Sequence, residues 1–446
     1  MAECSALVRP TRWLQIRCIC SQRALRQPRT GAWHHSSGRM EPCKPGIGKE
    51  LAKRVKLAAA HSVRKARTMH YKRISADCHL DMPCMPPELF VENAPREMKE
   101  RMPYVEDGPD GPQWVAKNGA NFGLVNGVGP GGAKHVPGQN VRVDIMAEAG
   151  LYEDAKKGKY RCRDPHLRLK DMEMDGVDAE VIYGILGTAS KLNDMEASNE
   201  VLRIYNDWLK EFCSHYPDRH IGLACLPYGS VDEAVKEVRR VAKMGLRGLE
   251  LSCSWDMEPM WHPVWEPLWQ AVADVDLPLH FHTFPTTAPR SRTEAPQVRR
   301  AAMFTGVSAF QMGLIHIMAG MMGAGVFERH PNLRIGFGES GVGWIPYALH
   351  RMDFEFEDRF RDLMKLKPSE YWRRQCRATF QFDPIGAKLI EDIGVETIMW
   401  GSDYPHTDGV WPESQKYIDE QFAGLPADVV HKITCENAAK FYRLVN

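Results

Sequence analysis

The stretch ISADCH, residues 74–79, has the pattern of a short strand that ends in a carboxylate and an imidazole. Side chains two residues apart on a strand point to the same face, so Asp77 and His79 can bind one ion together. A D-x-H triplet by itself is a weak sign, because short triplets recur by chance. The rest of the chain decides whether further ligands join this pair.

The chain after residue 73 alternates short apolar runs with helical sequence. The predicted strands cover residues 74–79, 179–185, 221–226, 247–251, 277–282, 333–339, 378–382 and 396–403. Strands that alternate with helices predict parallel βαβ units. Eight such units in about 370 residues predict an α/β fold, a (β/α)8 TIM barrel. A doubly wound open sheet is the alternative.

A long stretch over residues 81–165 interrupts this pattern directly after the first strand. It contains runs rich in Gly and Pro at 108–112 and 127–132. Segments of this length inside a domain are usually functional. We therefore predict an irregular lid or insertion at 81–165, within a barrel domain that spans 74–446.

The first 73 residues are strongly basic. They carry 17 Lys and Arg against three acids, whereas the remainder carries 41 against 54. Residues 1–40 are rich in Arg, which fits either a mitochondrial transit peptide or a disordered extension before Met40. Residues 41–73 are predicted to form a basic helical arm. We expect a cytoplasmic protein, with a mitochondrial location as the alternative if 1–40 is a transit peptide.

Composition excludes several classes of protein. The chain is 43% hydrophobic and 26% charged, as is ordinary for a globular protein. The acidic body argues against a nucleic-acid surface, and no run of 18 apolar residues indicates a membrane-spanning helix. Twelve Cys residues are scattered without a CxxC pair. This pattern favours reduced, buried thiols over a disulfide framework.

Polar residues stand at the ends of several predicted strands. Strand five ends in His280-Phe281-His282, strand six in Glu339 and strand eight in Asp403. In a TIM barrel the carboxyl ends of all strands meet at one mouth, where the active site lies. Imidazole and carboxylate ligands together suit Zn²⁺, Mn²⁺ or Fe²⁺.

The two histidines of strand five differ in depth. His282 lies at the predicted mouth and is the preferred ligand. His280 lies deeper, and it could be a ligand, a residue of the barrel interior or a partner of a ligand. Each polar residue alone also has an ordinary explanation, since an Asp before Tyr-Pro is usually a turn former. Their shared position at several strand ends favours a metal site.

Four stretches together resemble the amidohydrolase-related family typified by aminocarboxymuconate-semialdehyde decarboxylase. They are residues 75–79, 277–282, 331–335 with 338–341, and 400–406, in the order found in the family. The resemblance implies a metal-dependent TIM barrel with one divalent ion, held by Asp77, His79, His282 and Asp403. Zn²⁺ is the expected ion and Mn²⁺ the alternative, because the carboxylates shift preference toward harder ions.

The resemblance also implies a reaction class. We expect a metal-dependent hydrolase or carboxy-lyase that acts on a small cyclic or unsaturated carboxylic acid, with Asp403 assisting proton transfer. The decarboxylases of this family have a catalytic His after strand six, where this chain has Glu339. A carboxylate there acts more naturally as a base or an additional ligand, which favours activation of water. A catalytically altered barrel that serves as a binding or scaffold protein is the alternative.

The remaining predictions concern substrate and partners. Arg290 and Arg292 are candidates for binding the substrate carboxylate, and Trp344 and His406 for lining the pocket. Surface solvation is the alternative role of the arginines, and helix packing that of Trp344. The expected partner is a small carboxylate molecule, with no nucleic acid and no membrane. The family's habit and the basic arm suggest a homodimer.

Overall fold

Eight parallel strands form the centre of the structure and a three-stranded antiparallel sheet lies beside them. The computed structural model describes residues 70–445 apart from 128, 130, 186, 188, 254–256 and 283–294. The strands are Ile74–His79 (β1), Tyr104–Gly108 (β2), Gly111–Val115 (β3), Asn121–Leu124 (β4), Ala179–Tyr183 (β5), His220–Cys225 (β6), Gly248–Glu250 (β7), Leu279–Phe281 (β8), Ile335–Phe337 (β9), Cys376–Phe380 (β10) and Ile398–Trp400 (β11).

The parallel sheet closes into a barrel. Its strands are hydrogen-bonded in the order β1-β5-β6-β7-β8-β9-β10-β11. A bridge between Cys78 and Tyr404 then joins β1 to the residues after β11. The backbone N–H of His79 donates to the Tyr404 carbonyl at 2.7 Å, and that of Asp403 to the Asp77 carbonyl at 2.8 Å. The predicted TIM barrel is confirmed, and closure places the ends of β1 and β11 side by side.

Helices follow the strands and surround the barrel. They are Leu89–Asn93 (α1), Val141–Glu148 (α2), Pro165–Met174 (α3), Met195–Ser214 (α4), Val231–Met244 (α5), Glu266–Val275 (α6), Pro296–Ala309 (α7), Ile315–Gly323 (α8), Val326–Arg329 (α9), Ile345–Glu355 (α10), Pro368–Gln375 (α11), Pro384–Lys388 (α12), Ile390–Ile393 (α13), Ser414–Gln421 (α14), Ala427–His431 (α15) and Asn437–Phe441 (α16). Ser230 caps α5, because its hydroxyl accepts from the Glu233 N–H.

The insertion after β1 has regular structure, so the prediction of an irregular stretch is wrong. It contains α1, α2 and the antiparallel sheet β2-β3-β4. Trp114 and Phe122 of this sheet are fully buried and pack into the main hydrophobic core. Arg142 of α2 donates to the carbonyls of Gly409 and Trp411, at 3.1 and 3.0 Å. The insertion is thereby fixed to the segment that follows β11.

Several predicted boundaries shift by a few residues. The seventh barrel strand, predicted at 378–382, is observed at Cys376–Phe380, because Cys376 pairs with Ile335 of β9. The predictions for residues 1–40 and for most of 41–73 lie outside the described residues. Among the described helices, none is long and apolar enough to cross a membrane by itself. Residues 296–309 and 311–323, bent by 52°, meet that criterion only as a pair.

A fully buried ion pair connects α3 to the barrel. The Arg168 guanidinium donates to both carboxylate oxygens of Glu180 on β5, at 2.7 and 2.8 Å. It also donates to the carbonyl of His79 at 3.0 Å. Burial opposes ionisation of the carboxyl, but Arg168 and a hydrogen bond with His220 lower the pKa of Glu180 to about 2. The end of β1 is thus supported from outside the barrel by a cation.

Candidate metal centre

Five predicted site residues meet at the carboxyl end of the barrel. Asp77 and His79 are on β1, His282 follows β8, Glu339 follows β9, and Asp403 follows β11. All five are buried, with at most 5% of their surface exposed. The barrel therefore brings together residues that are separated by up to about 330 positions in the chain, as expected for strand ends.

The side chains converge at short distances. His79 Nε2 lies 3.2 Å from Oδ1 of Asp77 and 3.2 Å from Oδ1 of Asp403. His282 Nε2 lies 3.8 Å from the same Asp77 oxygen and 3.5 Å from Oε2 of Glu339. Two groups of potential ligand atoms overlap at His79. Within each group, all the ligand atoms lie within 4.8 Å of one another. One group adds Asp77 and His282, and the other adds Glu339, Asp403 and His406.

The converging atoms fit a divalent metal ion. Asp77 Oδ1, His79 Nε2, His282 Nε2 and both Asp403 oxygens are buried and have no hydrogen-bond partner among the described residues. Leaving buried polar atoms unpaired costs about 1–3 kcal/mol each, and more for charged groups. Two imidazoles and two carboxylates around one point are suitable ligands for a transition metal. The structure thus contains a site for one divalent ion.

The second oxygen of Asp77 is held by the neighbouring strands. Its Oδ2 accepts from the backbone N–H of Glu339 at 2.8 Å and from the hydroxyl of Thr379 on β10. Glu339 and Asp403 both have left-handed backbone, with φ of 44° and 58°. Residues in this region are unusual outside Gly and tend to occur at functional sites. The chain therefore turns sharply at two strand ends beside the site.

The pKa values of two acids of the site are shifted in opposite directions. Burial, together with Asp403 and Asp408, raises the pKa of Glu339 well above its usual range. Burial acts in the same sense on Asp77, but contacts with His282 and His79 hold the pKa of Asp77 below its usual range. Burial and His406 lower the pKa of His79, yet Asp403 and Asp77 outweigh them and raise it to about 9. The site thus combines a carboxyl group whose pKa lies below its usual range with one whose pKa lies above it.

His280 lies below the site and has its own partners. Its Nδ1 is 2.8 Å from the hydroxyl of Tyr183, and its Nε2 is 3.1 Å from the hydroxyl of Tyr442. Burial lowers the pKa of His280 to about 3. Both ring nitrogens are therefore engaged inside the barrel, which leaves His282 as the imidazole of strand five at the metal centre.

The predicted substrate-binding residues fall into three groups. Arg290 and Arg292 lie outside the described residues. The indole N–H of Trp344 donates to the Ser340 carbonyl at 2.8 Å, and its ring packs against the core. His406 lies inside the cluster, where its ring stacks on that of His79 with centroids 3.9 Å apart. The substrate-binding roles stay predictions.

Sequence reasoning missed Asp81 and Thr379. Asp81 Oδ2 accepts a 2.6 Å hydrogen bond from His406 Nε2. The signal for Asp81 was its place in the alternation Asp77-x-His79-x-Asp81, which continues the same face of the strand by two residues. Thr379 had no such signal, since a single Thr within an apolar strand is ordinary.

The fold and the site together define a metal-dependent barrel enzyme. The family model described as amidohydrolase matches residues 77–444, which is most of the chain. The chain belongs to the amidohydrolase family. The predicted resemblance to this family is confirmed, as is the prediction of a metal-dependent hydrolase or carboxy-lyase.

Similar sequences include decarboxylases. A 2-amino-3-carboxymuconate-6-semialdehyde decarboxylase of Dictyostelium discoideum is 25% identical over 253 residues, which are 55% of this chain and 67% of that protein. A gamma-resorcylate decarboxylase of Rhodococcus jostii is 27% identical over 265 residues, which are 54% of this chain and 76% of that protein.

Similar solved structures share the fold. An amidohydrolase from Mycobacterium avium subsp. paratuberculosis superposes with a TM-score of 0.65 at 19% identity, covering 84% of this chain and 98% of that one. A dihydroxybenzoic acid decarboxylase from Polaromonas, with bound manganese and the inhibitor 2-nitroresorcinol, gives a TM-score of 0.55 at 19% identity, covering 84% of this chain and 98% of that one.

Proposed function

We propose that this protein is a metal-dependent decarboxylase of small hydroxylated aromatic carboxylic acids. The observation that carries the proposal is the set of buried, unpartnered ligand atoms of Asp77, His79, His282 and Asp403, with the Glu339 carboxyl beside them. The sequence relatives named as decarboxylases support the reaction class. A scaffold would gain nothing from these unpartnered buried groups, because they lower its stability.

The reaction needs a proton at a defined position. In decarboxylation the bond from the ring carbon to the carboxylate breaks, its electron pair stays on the ring carbon, and that carbon takes up a proton as CO2 leaves. A bound divalent cation supplies Lewis-acid stabilisation of negative charge on substrate oxygens. Asp77, His79, His282 and Asp403 would hold this ion. A solvent-excluded site ensures that the proton comes from a residue rather than from bulk water.

Two carboxyl groups of this chain can hold the proton. Glu339 lies 3.5 Å from His282, and Asp403 lies 3.2 Å from His79, so both face the point where the ligands converge. A carboxyl group positioned beside the reacting carbon typically contributes 10²–10⁴-fold to a rate by general acid catalysis. Glu339 would take the place of the catalytic imidazole expected after strand six.

For the metal, we propose Mn²⁺ in preference to Zn²⁺. Two aspartates and a neighbouring glutamate make the site rich in oxygen, which suits harder ions. The manganese in the Polaromonas structure is consistent with this choice. Elemental analysis of the purified protein distinguishes the two ions.

The test combines metal removal with substrate screening. The full-length protein is stripped with a chelator, checked by elemental analysis, and reloaded with Mn²⁺ or Zn²⁺. Each form is incubated with a panel of hydroxybenzoic acids, and CO2 release is measured. We expect the stripped protein to be inactive and the Mn²⁺ form to release CO2 from at least one member. A loaded protein that releases none from the whole panel would contradict the proposal.

Hydrolysis is a second candidate, and Glu339 is the observation that favours it. A carboxylate at this position can accept a proton from an attacking water. The same metal-loaded protein should then open aromatic esters or lactones. Turnover of these compounds without CO2 release from any acid would favour hydrolysis over decarboxylation.

Replacement of Glu339 by Gln tests its role directly. We expect Glu339→Gln to lower kcat about 10²-fold, because the amide cannot deliver a proton, while Asp403 remains. The metal content should be unchanged. Glu391→Gln, at an exposed position on α13, is the matched control. Loss of metal together with activity would instead identify Glu339 as a ligand.

A further inference from the structure

A buried pair of polar residues, Asp81 and His406, lies beside the metal centre. Only 8% of the surface of Asp81 and 6% of that of His406 is exposed. His406 Nε2 donates to Asp81 Oδ2 at 2.6 Å. An ionised carboxylate only accepts, so this nitrogen carries a hydrogen. The short contact sets the plane of the His406 ring.

The orientation of that ring is matched to two ligands. It stacks on the ring of His79 with centroids 3.9 Å apart and an interplanar angle of 22°. Its Nδ1 lies 3.1 Å from Oδ1 of Asp403. The backbone N–H of His406 donates to the carbonyl of Asp403 at 2.7 Å. One imidazole therefore contacts both a nitrogen ligand and an oxygen ligand.

We infer that His406, fixed by Asp81, is a positioning residue that holds His79 and Asp403 in the geometry needed to bind the metal. The inference rests on the proposed function only in so far as it takes these two residues as ligands. Groups that orient metal ligands through hydrogen bonds typically change metal affinity 10–100-fold when they are removed. Because the His406 ring contacts both His79 and Asp403, the Asp81–His406 pair can affect metal affinity through both ligands.

Two other roles for His406 fit the contacts less well. A purely packing role needs the ring but neither nitrogen, yet both nitrogens face carboxylate oxygens. A role as a third imidazole ligand needs a free nitrogen, but Nε2 is bound to Asp81 and Nδ1 faces Asp403. The structure therefore assigns His406 to the support of the ligands.

The experiment measures metal affinity in the full-length protein without any substrate. Mn²⁺ is titrated against a competing fluorescent chelator for the wild type, His406→Phe, Asp81→Leu and Asp81→Asn. We expect His406→Phe, which keeps the stacked ring but has no nitrogen, to bind Mn²⁺ 10–100-fold more weakly. Asp81→Asn keeps an acceptor oxygen and should retain more affinity than Asp81→Leu. His350→Phe, at an exposed position of α10, is the matched control.

The effects of substitutions at Asp81 and His406 on metal affinity should also be coupled. If Asp81 acts through His406, the double variant Asp81→Leu with His406→Phe should lose no more affinity than His406→Phe alone. Additive losses would overturn the inference, as would an affinity of His406→Phe within twofold of the wild type. If His406→Phe does not fold, His406→Gln, which keeps an N–H donor, is measured beside Asp81→Leu instead. If both variants bind Mn²⁺ as tightly as the wild type, the inference is overturned.

Electron spin echo modulation of bound Mn²⁺ counts the coupled imidazoles. Two are expected, from His79 and His282, and three would make His406 a ligand and overturn the inference. Because these readouts need no turnover, they separate this inference from the proposed reaction. A wild type that binds Mn²⁺ but releases no CO2, with weakened binding in His406→Phe, would reject decarboxylation and support the positioning role.

Discussion

Replacing Asp403 by Asn should lower the turnover of a carboxylate substrate by about 10⁴-fold, at the upper end of the range for a lost acid–base group. The size follows from the position of Asp403. Both of its oxygens are buried without a hydrogen-bond partner among the described residues, and Oδ1 lies 3.2 Å from His79. The substitution therefore weakens a metal ligand and removes a proton carrier at once.

Asn is the suitable replacement because the backbone at 403 is left-handed, with φ of 58°. Asn adopts this conformation more readily than other non-Gly residues, whereas Ala would add strain that has no connection with catalysis. The loss of activity in Asp403→Asn can thus be assigned to charge and ligation rather than to the turn.

Three measurements check the prediction. CO2 release gives kcat, elemental analysis gives the metal content, and thermal unfolding shows whether the barrel is intact. Asp392→Asn, at an exposed position of α13, is the matched control and should behave as the wild type. An Asp403→Asn protein that retained more than a tenth of the wild-type kcat would exclude Asp403 from the chemistry.

The strand-end residues of the site could be predicted from the sequence because barrel geometry does not depend on distance along the chain. Asp77, His79, His282, Glu339 and Asp403 each follow or end an apolar run, and parallel strands in a barrel share one mouth. His282 could be preferred to His280 for the same reason, since the deeper residue of the pair faces the barrel interior. There it contacts Tyr183 and Tyr442.

Contacts that depend on loops could not be predicted. His406 meets Asp81 only because closure of the barrel places the loop after β11 beside the end of β1. The sheet β2-β3-β4 could not be predicted from the sequence for another reason. Its apolar residues, such as Trp114 and Phe122, are spaced among Gly and Pro residues, which are depleted in strands. Long-range packing overrides that local preference here.

Replacing Arg168 by Met should destabilise the protein by about 3–5 kcal/mol, because it leaves a buried carboxylate without its cation. Glu180 is wholly buried and accepts two hydrogen bonds from Arg168. The same guanidinium donates to the carbonyls of His79 and Cys162, at 3.0 and 3.3 Å. Loss of this guanidinium therefore also removes one hydrogen-bond donor from each of these two carbonyls, one of which belongs to the metal ligand His79.

A second variant separates the effect of the unpaired Glu180 charge from the effect of the lost Arg168 hydrogen bonds. In Arg168→Met combined with Glu180→Gln no uncompensated charge remains, so the double variant should be more stable than Arg168→Met alone. It should stay below the wild type by about 1–3 kcal/mol, the cost of unsatisfied buried acceptors. Arg203→Met is the matched control, since Arg203 forms partly exposed ion pairs with Glu200 and Asp207. Such pairs contribute about 1 kcal/mol or less.

Thermal unfolding of the chelator-treated proteins measures these differences without a contribution from bound metal. Ligand binding to the folded state raises apparent stability, so comparing variants of unequal metal affinity in the loaded form would mix two effects. An Arg168→Met protein that melted with the wild type would show that Glu180 does not depend on this cation. A double variant that melted below Arg168→Met would show that the charge of Glu180 stabilises the barrel through His220 instead, which lies 2.8 Å from its Oε1.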